Sequence, residues 1–248
     1  MIYFHDGEFD KAISEYKKVI SNPRSSLRLI RYARYLLSEC YLSQMEYEAA
    51  LDELEKILNY STEDVEALYW SGRKITEISG FPHVTDEIIK GKSLELAGLY
   101  QEIFPKICES VISREPNNAH VYCLLGRFYF DKKEYSKAIQ MLQRVIACSS
   151  NSYDRRGAVT FIIRCHQSKG DYQQAIREYQ NLIDATSSTD SASEILYLKL
   201  GLARLYVLTK DYVRAREELQ DIIARSYGDN YVTYQARQML YCMDLYGM

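Results

Sequence analysis

Few residues of this sequence have both the type and the spacing that catalysis or metal binding requires. Ser14 and Lys17 have the Ser-x-x-Lys spacing of one family of nucleophilic serines, but the SDN and KTG segments that accompany that motif are absent. The four histidines are dispersed without an HxxxH or HExxH pair, and glycine-rich phosphate-binding motifs are missing. We therefore predict no catalytic site, no metal site and no cofactor.

The arginines and tyrosines of this sequence are better suited to binding a partner than to catalysing a reaction. Tyrosine is abundant, with 23 residues, and both residue types are enriched among the energetic hot spots of protein interfaces. Arginine can also hold a carboxylate through two parallel hydrogen bonds. Whether these side chains share one surface depends on the elements that position them.

One stretch, residues 119–150, shows how those elements are organised. Its first apolar series has the spacing W-x2-L-G-x2-Y, with tyrosine in place of tryptophan, at Tyr122, Leu125, Gly126 and Tyr129. A second apolar series begins at Ala138 after a short break. Apolar residues recur every three or four positions in both series, which predicts two antiparallel amphipathic helices. Gly126 and Ala138 are small where these helices must approach closely.

This spacing resembles the tetratricopeptide repeat, a helix–turn–helix unit of 34 residues, and imperfect copies of it cover essentially the whole chain. The resemblance implies an all-α, right-handed superhelical solenoid of antiparallel helix pairs. About five full repeats, a half repeat and a C-terminal capping helix are expected. The resemblance also implies a partner segment bound in the concave groove, and it implies no catalysis.

The repeats divide this single solenoid into segments of similar length. The predicted segments are an incomplete first repeat at 1–26, repeats at 27–62, 63–118, 119–152, 153–188 and 189–228, and a capping helix at 229–248. The third repeat is too long, and we place its insertion at about 79–98, where a loop on the binding face would be typical. Because the first repeat lacks most of its first helix, we expect either a longer protein or another surface that covers this end. A degenerate terminal helix that is tolerated without a cover is the alternative.

In the tetratricopeptide family, the position after the small residue of each first helix points into the groove. In this sequence that position is occupied, repeat by repeat, by Glu39, Arg73, Arg127, Arg164 and Arg204. The resemblance therefore predicts a ladder of four arginines, with aromatic neighbours at Tyr32, Tyr35, Tyr69, Phe130 and Tyr197. The predicted partner-binding groove consists of Tyr35, Tyr69, Arg73, Arg127, Phe130, Arg164, Tyr197 and Arg204.

Local ion pairs are the alternative role for part of this ladder. Two arginines have an acidic residue four positions later, namely Arg73 with Glu77 and Arg127 with Asp131. Pairs at this spacing on a helix contribute about 0.2–0.5 kcal/mol each and would occupy the two guanidinium groups. Arg164 and Arg204 have no acidic residue at that spacing, so they are the stronger candidates for binding a partner.

Charge and cysteine content limit the partners and the compartment. A net charge of −3 and a pI near 5.9 argue against nucleic acid as a partner. The sequence contains no run of about 18 apolar residues, so we predict no membrane span. The six cysteines form no CxxC pair, and the N-terminus lacks the pattern of a signal peptide. We expect reduced, buried thiols and an intracellular protein, with the cytoplasm favoured. A secreted protein with its leader removed is the alternative.

The predicted function is that of a noncatalytic scaffold or adaptor that binds a protein or peptide in the concave groove, with an acidic segment favoured. Two alternatives stay open. In the first, the chain is a structural subunit of a large assembly and packs or self-associates through its incomplete N-terminal repeat and its insertion. In the second, it is the helical regulatory part of a larger enzyme or sensor.

Overall fold

The computed structural model describes residues 2–59, 64–82, 84–185, 192–226 and 231–247. All the regular secondary structure in these ranges is helical. The chain divides into two compact units, Met1–Asn117 and Asn118–Met248, which are described separately. The predicted repeat boundaries near positions 62, 188 and 228 lie outside the described residues.

The first unit is built from consecutive helices that pack against their neighbours in the chain. Its helices are α1 (Ile2–His5), α2 (Phe9–Ser21), α3 (Leu27–Ser43), α4 (Tyr47–Asn59), α5 (Val65–Ser79) and α6 (Glu87–Arg114). Side-chain caps fix several of their starts, as at Ser26, whose hydroxyl oxygen accepts a hydrogen bond from the Leu29 backbone N–H at 3.2 Å. Short connections make α3 with α4 and α5 with α6 helix pairs, as the apolar periodicity predicts.

The second unit continues the same plan. Its helices are α7 (Ala119–Asp131), α8 (Tyr135–Cys148), α9 (Ser152–Lys169), α10 (Tyr172–Ala185), α11 (Ala192–Leu208), α12 (Tyr212–Arg225) and α13 (Tyr231–Leu245). Helix α13 packs against α12 and α11. Across the ranges that the structure describes, no helix is long and apolar enough to cross a membrane.

The turn between two successive helices contains a left-handed residue at five places in the described ranges. The φ angle of this residue is 74° at Gly7, 62° at Met45, 61° at Lys133, 81° at Gly170 and 62° at Lys210. A backbone hydrogen bond of 2.8–2.9 Å closes each turn, as from Glu134 N–H to Tyr129 C=O. This bond satisfies a carbonyl that the helix end would leave unpaired. The repeated turn gives the pairs a common geometry.

Small residues allow the helices of a pair to approach closely, as predicted for the repeat at 119–150. A Cβ added at Gly126 would lie 2.9 Å from Leu142 Cγ and 3.5 Å from the Ala138 carbonyl oxygen. The approach is closer still at Gly72, where a Cβ would lie 2.1 Å from the ring of Tyr100. Glycine at these positions lets a larger side chain of the second helix fill the space.

The extra residues of the third repeat lie mostly in a helix, which differs from the expected loop. Helix α6 begins at Glu87 and continues for 28 residues, past Gly91 and Pro105. The carboxylate of Asp86 caps its start. Lys92 in the added turns pairs with Asp52 and, at 3.2 Å, with Glu55 on α4. These ion pairs, together with the burial of Ser93, Leu96 and Ala97, oppose the roughly 1 kcal/mol that a glycine costs inside a helix.

The cysteines agree only in part with the prediction of buried thiols. Cys40, Cys108 and Cys165 are buried free thiols, Cys123 and Cys148 are partly exposed, and Cys242 on α13 is exposed. Burial raises the pKa of Cys40 and Cys165 to about 11 and that of Cys108 to about 12. A raised pKa means that less reactive thiolate is present at neutral pH.

We therefore expect a strong difference in alkylation rate between the cysteines. At neutral pH, Cys242 should react with iodoacetamide fastest, whereas Cys40, Cys108 and Cys165 should react only when the chain opens or when the pH approaches their raised pKa values. Timed alkylation followed by peptide mass spectrometry measures each site. Equal rates at Cys108 and Cys242 in the folded protein, or a native disulfide, would contradict this account.

Candidate partner-binding surfaces

Helices α3 and α5 bound a groove of about 700 Å³ in the first unit. Its wall is largely aromatic and aliphatic, with Leu29 and Tyr32 on α3 and Trp70 on α5. At its rim, Arg28 and Glu66 face each other with their nitrogen and oxygen 3.9 Å apart. This groove therefore offers apolar surface with charges of both signs.

The predicted ladder positions of the first unit are occupied by internal ion pairs. Arg73 Nε lies 3.6 Å from Glu77 Oε1, so the pair expected from their spacing forms. Lys74 contacts both Glu77 at 3.0 Å and Glu39 at 3.1 Å. Burial and the neighbouring Glu39 carboxylate raise the pKa of Tyr35, which keeps its hydroxyl neutral. These charges compensate one another within the unit.

Tyr69 does not lie where the sequence analysis placed it. Its side chain is 1% exposed and packs against Trp70 and Phe104, with ring centroids 5.0 Å and 5.8 Å away. It belongs to the core between α5 and α6, because its place on α5 turns it away from the groove. Trp70 lines the groove instead, and the sequence analysis missed it.

In the second unit, α7 and α9 bring two arginines and two phenylalanines together. We name Arg127, Phe130, Phe161 and Arg164 the Arg–Phe cluster. The two phenylalanine rings meet edge to face with centroids 5.2 Å apart. The guanidinium carbon of Arg164 lies 5.1 Å from the Phe130 centroid and 4.6 Å from the Phe161 centroid. The guanidinium carbon of Arg127 lies 5.6 Å from the Phe161 centroid. Both arginines therefore contact one aromatic ring.

A groove of about 190 Å³ adjoins this cluster and has a mixed polar lining that includes His120, Cys123 and Asp154. Burial raises the pKa of the Cys123 thiol, and the neighbouring Arg127 guanidinium opposes the rise. Arg127 Nε is buried and has no hydrogen-bond partner among the described residues. Asp154 supplies a carboxylate to this groove and accepts a hydrogen bond from the Ser149 hydroxyl at 3.1 Å.

The remaining predicted groove residues of this unit, Tyr197 and Arg204, lie on α11. Both are exposed. Arg204 donates a hydrogen bond to the Gln235 side-chain oxygen on α13 at 3.3 Å. Burial raises the pKa of Tyr179, and the positive charge of Arg204 opposes this rise. The structure thus joins Arg127, Phe130 and Arg164 in one cluster, together with Phe161, which the sequence analysis missed.

Both missed aromatic residues lie three positions before a ladder arginine. Trp70 precedes Arg73 by three residues, and Phe161 precedes Arg164 by three. Side chains three apart share one face of a helix, so this spacing could have identified both residues from the sequence.

Comparison with known proteins identifies the family of this chain. A family model described as Tetratricopeptide repeat matches residues 1–64 and 166–230. A second model with the same description matches residues 119–151. Together with the helix pairs and their close contacts, these matches show that the chain belongs to the tetratricopeptide repeat family. The predicted fold class, an all-α solenoid of such helix pairs, is confirmed.

Similar solved structures agree with this fold. The TPR-like repeats of a Podosopora anserina protein described as a kinesin light chain are 18% identical, with a TM-score of 0.53 over 78% of this chain and 93% of that chain. A variant of the same repeats is 17% identical, with a TM-score of 0.54 and the same coverage. MamA from Desulfovibrio magneticus RS-1 is 17% identical, with a TM-score of 0.46 over 79% and 94% of the two chains. No curated protein sequence matches the chain.

The two likenesses to the Podosopora anserina repeats show the fold alone. Tetratricopeptide repeat proteins are generally noncatalytic scaffolds, and family membership supports a general role in protein–protein interaction for this chain. The kind of partner has to be argued from its own side chains.

Proposed function

We propose that the protein binds an acidic segment of a partner protein on the second unit, at the Arg–Phe cluster and at Arg204, the next ladder position along the chain. The observation that carries the proposal is the position of Arg164, whose exposed guanidinium stacks on Phe130 and Phe161. Within the described ranges no carboxylate forms an ion pair with it. Its charge is therefore available to a partner.

Stacking on two rings prepares Arg164 for a carboxylate. The guanidinium carbon lies over both rings, and the planar fork of N–H donors can give two parallel hydrogen bonds to a carboxylate. The rings also limit the rotamers of a long side chain, so less conformational entropy is lost on binding. A lysine at this position would have the same charge but neither the plane nor the fork of donors.

Arg127 adds positive charge within the cluster, and Arg204 adds it at the next ladder position, on α11. Arg127 contacts the same ring as Arg164, and Arg204 pairs with a neutral amide that leaves its charge uncompensated. Asp154 partly offsets this charge in the adjoining groove. Three arginines against this carboxylate still favour an anionic ligand, whereas Arg73 in the first unit is neutralised by Glu77.

A selection from a random peptide library on the immobilised protein tests this proposal. We expect the recovered peptides to be enriched in Asp and Glu, and their binding to weaken when the acidic residues are changed to the matching amides. Recovered peptides that lack acidic residues, or that bind equally well as amides, would contradict the proposal. The first unit's groove at Leu29, Tyr32 and Trp70 would then be the better candidate.

A further inference from the structure

The terminal helix α13 carries a row of large side chains on the face that points away from the protein. We name this row the outer face of α13, and it consists of Tyr231, Tyr234, Gln238, Tyr241 and Leu245. All five are exposed, including Tyr234 at 57%, Tyr241 at 64% and Leu245 at 63%. The opposite side of the helix is the one that packs on α12 and α11, through Val232, Thr233, Ala236 and Met243.

The spacing of the outer face is that of a helix that packs against another helix. Successive members are separated by three, four, three and four residues, which is the a/d spacing of a heptad repeat. The flanking positions carry Arg237 and Asp244 along one edge and Gln235 and Cys242 along the other. Four of the five side chains on this face are aromatic or aliphatic.

We propose that two copies of this chain associate through the outer face of α13, with the two helices antiparallel. In an antiparallel pair, a positions of one helix meet d positions of the other. The matching register places Tyr234 opposite Leu245 of the second copy and Gln238 opposite Tyr241 of the second copy. The same contacts occur twice, as a two-fold interface requires.

The charged edge of the outer face favours this register. Antiparallel pairing brings Arg237 of one copy to Asp244 of the other, twice, so opposite charges meet along this edge. Asp244 also accepts a hydrogen bond from Arg216 of its own chain at 2.7 Å, and a carboxylate has capacity for a second donor. A parallel pair would instead place Arg237 across from Cys242 of the other copy, so opposite charges would not meet along this edge.

The available area is sufficient for a weak dimer. A tyrosine offers about 150–250 Å², so Tyr231, Tyr234 and Tyr241, each about three-fifths exposed, present roughly 400 Å² together. Leu245 and the flanking side chains bring this to roughly 500 Å² per copy, or about 1,000 Å² in total, which is the lower limit for a specific interface. We therefore expect a reversible dimer whose population depends on protein concentration.

Sedimentation velocity over a series of protein concentrations tests the dimer. The wild-type chain should show a monomer–dimer equilibrium, and Tyr234→Lys with Tyr241→Lys should raise the dissociation constant at least tenfold, because tyrosine anchors dominate such interfaces. Val213→Lys is the matched control at another exposed apolar position, on α12, and should leave the equilibrium unchanged. A wild-type chain that stays monomeric, or a dimer insensitive to the double change, overturns the proposal.

A disulfide tests the orientation. In the antiparallel register, position 235 of one copy lies across from Cys242 of the other, so Gln235→Cys should give a covalent dimer joined between 235 and 242. The two positions are seven residues, or about 10.5 Å, apart on one helix, which exceeds the roughly 7 Å that a disulfide can span. This bond must therefore join two chains. Peptide mapping that finds only Cys242 joined to Cys242 would overturn the antiparallel arrangement.

Discussion

Gly72→Leu is expected to lower the free energy of unfolding of the first unit by about 3 kcal/mol or more, the upper end of the usual cost of overpacking. A Cβ at this position would already lie 2.1 Å from the ring of Tyr100. That ring is buried and packs against Phe104 with centroids 5.3 Å apart, so it cannot move aside without disturbing the core between α5 and α6.

Trp70 makes this measurement specific to the first unit. It is the single tryptophan of the chain and lies on the same helix as Gly72, so urea unfolding followed by tryptophan fluorescence reports on that unit. Gly91→Leu on α6 is the matched control, because nothing lies within 4 Å of a Cβ there. It should leave stability unchanged or raise it by up to about 1 kcal/mol, since leucine favours a helix over glycine.

Equal unfolding midpoints for Gly72→Leu and the parent chain would contradict the close approach of α5 and α6. Gly126→Leu should destabilise the second unit for the same reason, through its contact with Leu142 on α8. Ala138→Leu should do so as well, because Ala138 is fully buried and its carbonyl oxygen lies close to Gly126. Circular dichroism is suited to these two variants, because Trp70 lies in the other unit.

Arg164→Ala combined with Arg204→Ala is expected to lower the affinity for an acidic peptide at least a hundredfold. Hydrogen bonds to charged groups contribute roughly 1.5–3 kcal/mol each when they are desolvated, and about 1.4 kcal/mol corresponds to a factor of ten. The affinity of the double variant should also depend less on salt concentration, because two of the charges that attract the peptide are gone. Isothermal titration calorimetry at two salt concentrations measures both effects.

Two single variants separate the site from general electrostatics. Arg177→Ala removes the same charge from an exposed position on α10, where the side chain hydrogen-bonds to Gln174, and should change the affinity little. Arg164→Lys retains the charge but loses the planar stacking on the phenylalanine rings, so it should lose most of the Arg164 contribution. If Arg177→Ala lowers the affinity for the peptide as much as Arg164→Ala does, the peptide is attracted by the overall positive charge and the Arg–Phe cluster is not its binding site.

The helix pairs and their glycine contacts were predictable because they follow from short-range rules. Apolar spacing determines which helix faces are buried, and a small residue such as Gly126 marks where two helices must meet. The length of α6 was not predictable in this way. Gly91 indicated a break, yet the ion pairs of Lys92 with α4 support a continuous helix, and such contacts are visible only in three dimensions.

The sequence predicts on which helix face most of the proposed binding residues lie, but not which contacts they make with other helices. The ladder positions placed Arg127 and Arg164 on the same surface, whereas Tyr69, four residues before Arg73, is buried in the core. The aromatic neighbours stand three residues before the arginines, at Trp70 and Phe161. Which arginine remains available depends on contacts between elements, such as that of Arg204 with Gln235, and these do not follow from spacing within one helix.

The most direct test of the acidic-peptide site is to observe the arginine side chains during binding. With ¹⁵N-labelled arginine, the Nε–H signal of each arginine is followed by NMR as an acidic peptide from the library selection is added, with assignments made from single Arg→Lys variants. We predict that the Arg164 signal shifts in a saturable manner, with a smaller shift at Arg127, while Arg73 and Arg177 stay in place. A saturated complex in which the Arg164 signal has not moved would contradict the proposed function.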